Sequence, residues 1–347
     1  MGAERKRKGN FLTAEFRTRL LAWYALNARA LPWRKSRDPY RVWVSEIMLQ
    51  QTRVAAVIEH YHEFLRRFPS VEKLAAAREA SVLAAWSGLG YYRRARLMHA
   101  AAKLVARKLA GKFPPTAPSL EELPGIGRYT AGAIASIAFG EPVAVVDGNV
   151  ERVIERLSGD RLSDEELWQS AEQLLDRKHP GEFNQAMMEL GATVCTPRAP
   201  QCLACPVVRL CRTRGERPAG RKGPRQKKRE IHYALDVTDG AVLLVQRPKN
   251  ASLMAGMWEL PEISHPADNQ KPAFTVRHSI TVTDYTVHVW CPAARAELTG
   301  SWIRFDRLKR MALTGLARKI LRRSGEVYRE SRMKAAASTA RLSPSNL

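Results

Sequence analysis

The chain of 347 residues is 45% hydrophobic, long enough for two or three domains with cores of their own. It has no run of about 18 apolar residues, and its basic start, Met1 to Asn10, lacks a secretory apolar stretch, so neither a helical membrane span nor export is expected, and a cytoplasmic location is. The formal net charge of +23 points to a polyanionic partner, nucleic acid before a membrane surface, because the basic residues are spread along the chain beside turns and aromatics.

Residues 13–28 predict an amphipathic helix with Thr13 as its cap and Phe16, Leu20, Trp23 and Tyr24 at helical spacing. A loop with Pro32 and Pro39 follows, then a helix over 42–66 with a break near Gln51-Thr52. Residues 71–86 and 91–110 continue as helices, divided by Gly88-Leu89-Gly90. After the stiff connector from Phe113 to Pro118, residues 120–140 read as helix, glycine turn, helix. Val143 to Val146 is a short buried run, Asp147-Gly148-Asn149 opens another helix, and 163–194 are helical up to four clustered cysteines.

Residues 212–230 carry Arg221, Lys222, Arg225, Lys227, Lys228 and Arg229 with Pro218 and Pro224, and offer nothing to bury. They read as a basic linker. Strand-like alternation then covers 231–237, 241–247 and 273–291, and a helix is expected near 305–323. Cys291 reads as a small buried residue, and the tail over 326–347 as disordered. The fold class is therefore mainly α, followed by a smaller α+β domain.

Cys195, Cys202, Cys205 and Cys211 stand as C-x6-C-x2-C-x5-C. Four thiolates in so short a loop suit one metal centre, and spacing leaves structural zinc level with iron–sulfur. Leu123-Pro-Gly125-Ile-Gly127 has the form of a turn that aims backbone N–H groups at a phosphate, or of a plain helix–turn–helix. Glu46 sits among apolar residues, where burial would raise its pKa and suit it to acid catalysis. Asp147 before glycine is most simply a helix cap. Two carboxyl groups in unlike surroundings can cleave a glycosidic bond, but spacing alone does not bring these two together.

Six motifs occur in order: Leu31-Pro-Trp33-Arg34, Trp43-Val-Ser-Glu46-Ile-Met-Leu-Gln-Gln51-Thr52, Gly88-Leu-Gly-Tyr91-Tyr92, Leu123-Pro-Gly125-Ile-Gly127-Arg-Tyr129-Thr-Ala-Gly132, Val146-Asp147-Gly-Asn149 and Phe183-Asn-Gln185-Ala-Met-Met-Glu-Leu-Gly191. With the cysteines, residues 11–211 resemble the helix-hairpin-helix base-excision glycosylases with an iron–sulfur loop, and among them the adenine-specific, MutY-type branch. Residues 231–325 resemble the Nudix-like domain appended there, through Gly256-Met-Trp-Glu-Leu-Pro261.

The resemblance implies a [4Fe–4S] cluster on the loop 195–211 and double-stranded DNA with adenine opposite 8-oxoguanine or guanine as partner, bound by a monomer. It implies that Glu46 protonates the flipped adenine, that Asp147 balances the positive sugar, and that Tyr129 and Asn149 hold the carboxylates and water. Arg34, Trp33 and Gln185 match adenine-pocket positions, Gln51 and Tyr91 match residues that enter the duplex, and Gly125 and Gly127 match the backbone-binding hairpin. Where bifunctional relatives carry a lysine nucleophile this chain has Tyr129, so base release without strand cleavage is expected. The family's short Phe-Ser-His reader of 8-oxoguanine is replaced by Ile280-Thr281-Val282, leaving the hydroxyl of Thr281 as its remnant. A noncatalytic DNA-binding protein is the competing class, and the pair Glu46 and Asp147 is the feature against it.

Overall fold

The computed structural model describes residues 2–216, 227–264, 271–280, 282–291 and 298–325. Most of the expected linker, Thr281 and the tail 326–347 lie outside them. The chain divides into two compact units, Met1–Ala77 with Arg96–Arg221, and Arg78–Ala95 with Lys222–Leu347. Among the described residues no helix is long and apolar enough to cross a membrane.

The first unit is helical. Helices α1 (Gly2–Asn27), α2 (Pro39–Leu49), α3 (Val54–Arg67) and α4 (Val71–Ala76) open it. Asp38 caps α2 by accepting from the backbone N–H of Tyr40, and Pro39 takes the first helical position, where no N–H is needed. α2 stops as expected before Gln51, whose φ is +56°. After α5 (Glu79–Trp86) and α6 (Arg93–Lys108), α7 (Ala117–Glu121) leads through the glycine turn into α8 (Arg128–Ile134). α8 continues as one wider π turn, Ala135–Phe139, that Gly140 ends with φ +74°. α9 (Gly148–Ser158), α10 (Asp164–Leu174) and α11 (Pro180–Thr193) follow. The single helical run expected over 163–194 is thus two helices: Asp176 accepts from the N–H groups of Lys178 and His179, and Pro180 restarts the helix.

Phe16 and Leu20 of α1 pack with Val150, Val153 and Ile154 of α9, Leu167 of α10, and Phe183, Met187 and Leu190 of α11. Each such side chain contributes about 1.5–3 kcal/mol by leaving water. The cysteine loop closes on this same core, because Val207 is buried in it and Cys195, Cys205 and Leu210 pack against it. Burial of α9 and α11 therefore fixes both the turn before α9 and the loop after α11.

In the second unit, β1 (Lys227–Ala234) runs parallel to β6 (Thr283–Trp290), which pairs antiparallel with β5 (Phe274–Ile280). A four-stranded sheet of shorter strands joins β2 (Val237–Thr238), β3 (Ala241–Gln246), β4 (Trp258–Glu259) and β7 (Ser301–Arg304). Tyr233, Val242, Leu244, Val276, Val287, Val289, Leu316 and Ile320 form the core of this unit. Three expectations are corrected here. β1 opens at Lys227, inside the expected linker, because its backbone pairs with β6 while the side chains of 227–230 stay exposed. The helix expected near 305–323 is a 3-10 turn, Phe305–Arg310, and then a helix over 315–325. Between them Ala312 and Thr314 hydrogen-bond Trp258 of β4, which takes that stretch out of any helix. Cys291 is exposed rather than buried, since it follows the end of β6.

Candidate active site

Glu46 lies in α2 and is almost wholly buried. Burial, with a further push from the charge of Asp147, raises its pKa to about 7, although the Tyr129 hydrogen bond and the charge of Arg34 pull the other way. The Tyr129 hydroxyl donates to Glu46 Oε2 at 2.9 Å and lies 3.1 Å from Met188 Sδ. Burial, then the charges of Glu46 and Asp147, push the Tyr129 phenol well above its ordinary value, so it stays a neutral donor.

Asp147 is the cap of α9, the bland role expected of it, and it also faces the other carboxyl. Its Oδ1 accepts from the backbone N–H of Asn149 at 2.9 Å and of Val150 at 2.8 Å, and its Oδ2 accepts from Asn149 Nδ2 at 2.9 Å. Three donors and a helix N-terminus present positive partial charge to this carboxylate. Asn149 is held in turn by Arg152, whose Nη2 donates to Asn149 Oδ1 and to the Gly191 carbonyl, both at 2.8 Å. Arg152 Nε donates to the carbonyl of Cys195 at 2.8 Å. One guanidinium thus ties the Asp147 turn to the cysteine loop. At Gly191 any Cβ would stand 2.7 Å from the Asn149 Cβ, so α11 approaches this turn as closely as a backbone can.

Glu189 is a further buried carboxyl, which the sequence reading did not single out. Burial alone would raise its pKa, but hydrogen bonds from Arg29 and Arg34 outweigh that and hold it at about 2. Arg29 Nη2 reaches Glu189 Oε2 at 2.7 Å and Arg34 Nη2 reaches it at 2.8 Å. The guanidinium of Arg34 also lies 5.4 Å from the centre of the Tyr24 ring, and the Tyr24 hydroxyl donates to Gln185 Oε1 at 3.4 Å. The signal for Glu189 was an acid inside the apolar run Ala186-Met187-Met188; for Arg29 and Arg152 no motif pointed to them.

The structure therefore gathers Glu46, Asp147, Tyr129 and Asn149, with Arg34 close enough for its charge to reach Glu46 and with Gln185 joined to Arg34 through Tyr24. Trp33 is buried edge-on against Tyr61, ring centres 5.5 Å apart. Gln51 in this unit and Tyr91 in the other are each exposed, at turns where their own φ values are +56° and +46°. Non-glycine residues in that region cost about 1–3 kcal/mol and cluster at functional sites. Gly125 and Gly127 are both exposed; a Cβ on Gly125 would strike Leu97, while one on Gly127 would meet nothing. Thr281 lies outside the described residues.

Cys195, Cys202, Cys205 and Cys211 are free thiols, each half-buried. Burial, then the neighbouring Cys195, Cys211 and Cys202, push the Cys205 thiol up to about 11. Arg156 Nη1 stands 3.2 Å from Cys195 Sγ, and Arg198, Arg209 and Arg212 are exposed around the loop. As they stand, no three or more His, Cys, Asp or Glu side chains among the described residues are drawn together tightly enough to hold a metal ion. The donor set fits an iron–sulfur cluster nonetheless: four thiols in one short loop, with the charges of Cys195, Cys211 and Cys202 reaching Cys205, beside a cation that would offset the excess negative charge of a thiolate-ligated cluster.

Residues 44–177 match the model of the HhH-GPD superfamily base excision DNA repair proteins. The chain is 39% identical to the adenine DNA glycosylase of Mus musculus over 85% of its own length and 68% of that protein's. It is 40% identical to the Homo sapiens adenine DNA glycosylase over 72% of its length, spanning 57% of that longer chain. Among solved structures, a thermostable thymine-DNA glycosylase superposes with TM-score 0.56 at 30% identity, covering 59% of this chain and 97% of the other. A DNA-trapped endonuclease III superposes with TM-score 0.51 at 25% identity, covering 58% and 96%.

Proposed function

Because the chain belongs to the adenine DNA glycosylase family, within the HhH-GPD base excision repair proteins, we propose that it hydrolyses the N-glycosidic bond of adenine mispaired with 8-oxoguanine or guanine in double-stranded DNA. The observation that carries the mechanism is the buried Glu46 carboxyl, held at about 7 beside the neutral Tyr129 hydroxyl and the charge of Asp147. At neutral pH a large fraction of Glu46 keeps its proton and passes it to N7 of an extruded adenine. The C1′–N9 bond then breaks, its electron pair leaves with adenine, and Asp147 balances the cationic sugar. Water adds to C1′ and returns a proton to Glu46, with Tyr129 and Asn149 keeping the two carboxylates in place. Arg34, Trp33 and Gln185 line the adenine pocket. A phenol forms no imine, so base release leaves the strand intact.

Gln51 and Tyr91 enter the duplex from their strained turns, and the Gly125–Gly127 turn takes a backbone phosphate. Cys195, Cys202, Cys205 and Cys211 would hold a [4Fe–4S] cluster, which would lend the loop rigidity rather than chemistry on the base, while Arg198, Arg209 and Arg212 give the loop a basic DNA-facing surface. Colour separates it from zinc: purified protein with visible charge-transfer absorption and acid-labile sulfide fits the cluster, and a colourless zinc protein does not. A glycosylase domain that ends with the cysteine loop, a Nudix-like domain after it, a monomeric state and cytoplasmic action complete the proposal.

The decisive measurement is base release across a panel of duplexes, read by alkali cleavage of the product. Release of adenine opposite 8-oxoguanine and guanine, but not opposite thymine, is expected. A cluster-loaded preparation that leaves the adenine–8-oxoguanine duplex intact overturns the proposal, and a borohydride-trapped covalent complex overturns the monofunctional part. Thr281→Ala tests the opposite base: a loss confined to 8-oxoguanine duplexes is expected, and equal losses opposite guanine remove Thr281 as a reader.

A further inference from the structure

Tyr91 stands at the tip of a turn whose support comes from far along the chain. Within the second unit, Ser87 Oγ donates to the carbonyl of Leu313 at 2.8 Å, and the Tyr92 hydroxyl donates to the same oxygen at 3.2 Å. Arg318 Nε donates to Ser87 Oγ. The two residues that flank Gly88-Leu89-Gly90-Tyr91 are thus both tied to one backbone carbonyl. All three side-chain contacts are long-range, spanning more than 200 positions. Leu313 is itself fixed, because the stretch around it bridges Trp258: Trp258 N–H donates to the Ala312 carbonyl at 2.8 Å and Thr314 N–H to the Trp258 carbonyl at 2.9 Å. Thr314 then caps the last helix through its hydroxyl on Ala317 N–H.

The turn is braced by its immediate neighbours as well. Trp86 Nε1 donates to the Gly90 carbonyl at 3.1 Å, and the Arg94 guanidinium lies 5.4 Å from the centres of both the Trp86 and Tyr91 rings. Gly90 has φ +69° and Tyr91 φ +46°. A tyrosine persists in that conformation only where its surroundings over-determine it, and 46% of its surface is left in solvent. An exposed aromatic ring held rigidly at strained backbone has the build of a wedge presented to a partner with stacked faces.

We propose that Arg318 is a positioning residue for Tyr91, and that the hydrogen-bonded path Trp258–Leu313–Ser87, locked by Arg318, couples the Gly256–Pro261 segment to the entry of Tyr91 into the duplex. This role rests on Tyr91 entering DNA during base extrusion. Loss of Arg318 removes the donor that orients the Ser87 hydroxyl toward the Leu313 carbonyl, the turn relaxes, and the wedge no longer offsets the lost stacking of the flipped base. The step that suffers is extrusion, not bond cleavage.

The test uses full-length, cluster-loaded protein and single-turnover adenine release from two duplexes. In one, adenine is paired with 8-oxoguanine; in the other it faces an abasic site, where little unpairing is needed. Arg318→Met, Ser87→Ala and Tyr91→Ala are each expected to lose roughly tenfold on the paired substrate and less on the unpaired one, where Arg318→Met and Ser87→Ala change release by less than about twofold. Arg318→Lys, which keeps a donor, recovers most of the loss. Undiminished release from the unpaired duplex also reports a folded protein. The role of Arg318 is overturned if Arg318→Met and Ser87→Ala lose equally on both duplexes, or lose nothing while Tyr91→Ala remains selective. If Tyr91→Ala shows no selective loss, the duplex-entering role of Tyr91 fails instead and takes the coupling with it.

Discussion

Burial pushes the carboxyls of Glu46 and Glu189 in the first unit upward alike, and their partners decide which of them stays up. Glu46 has a phenol hydrogen bond and the charge of Arg34 set against its burial and the charge of Asp147, and its pKa rises to about 7. Glu189 has two guanidinium groups, and its pKa falls to about 2. For Glu46 the acid form is the active one, so single-turnover release is expected to fall as pH rises through about 7. Glu46→Gln is expected to lose about 10²–10⁴-fold in rate with DNA binding kept, and a variant with near-normal turnover would sink the acid assignment. The linkage signs also differ. The native state keeps a proton on Glu46 that the unfolded chain releases above about 4.5, so that contribution is lost as pH rises toward 7. Glu189 contributes stability above about 4.5 that is lost as pH falls toward 2. Thermal unfolding of Glu189→Gln against the parent is expected to show a stability gap that closes between those limits; a gap independent of pH would argue that the ion pairs with Arg29 and Arg34 are not its source.

At the scale of elements, α9 and α11 organise the candidate site through one close approach. Gly191 leaves no room beside Asn149, and Arg152 spans Asn149, Gly191 and Cys195. Gly191→Ala forces a methyl against the Asn149 backbone and Cβ, and overpacking of this kind costs about 1–3 kcal/mol. The expected result is a lower melting temperature together with a loss of base release larger than the fraction unfolded explains. If activity follows folded protein one-for-one, the α11 contact is packing alone. A lone glycine in a helical pattern costs about 1 kcal/mol against alanine but does not say what packs against it; only the neighbouring turn makes Gly191 special.

Across the whole molecule, the net charge of +23 acts as a long-range attraction for a polyanion, with exposed Arg198, Arg209 and Arg212 on the cysteine loop as one concentrated source. If these side chains reach phosphates, log affinity for duplex DNA falls with log salt by about 0.9 per contact. Arg209→Ala is expected to reduce that slope by about one while leaving the ratio of mispair to matched-duplex affinity unchanged. An unchanged slope would take the loop away from the DNA backbone.

Helix positions, the break at Gln51, the cysteine spacing and the candidate carboxyls were legible because they depend on local chemistry: hydrophobic period, caps, turn residues and ligand spacing all act within a few residues. The motif order then sufficed to name a family. What tertiary structure alone decided are the facts that depend on residues distant in sequence. Spacing could not bring Glu46 to Asp147 and Tyr129, 83 or more residues away, nor reveal that Glu189 answers to Arg29 and Arg34 across the unit. Composition placed Lys227–Glu230 in a linker, whereas backbone pairing with β6 makes them strand. Cys291 was read as buried from strand alternation, but the strand ends one residue before it. A side chain's local pattern sets which element it joins; its pKa, its partners and its strain are set by whatever the fold carries to within a few ångströms of it.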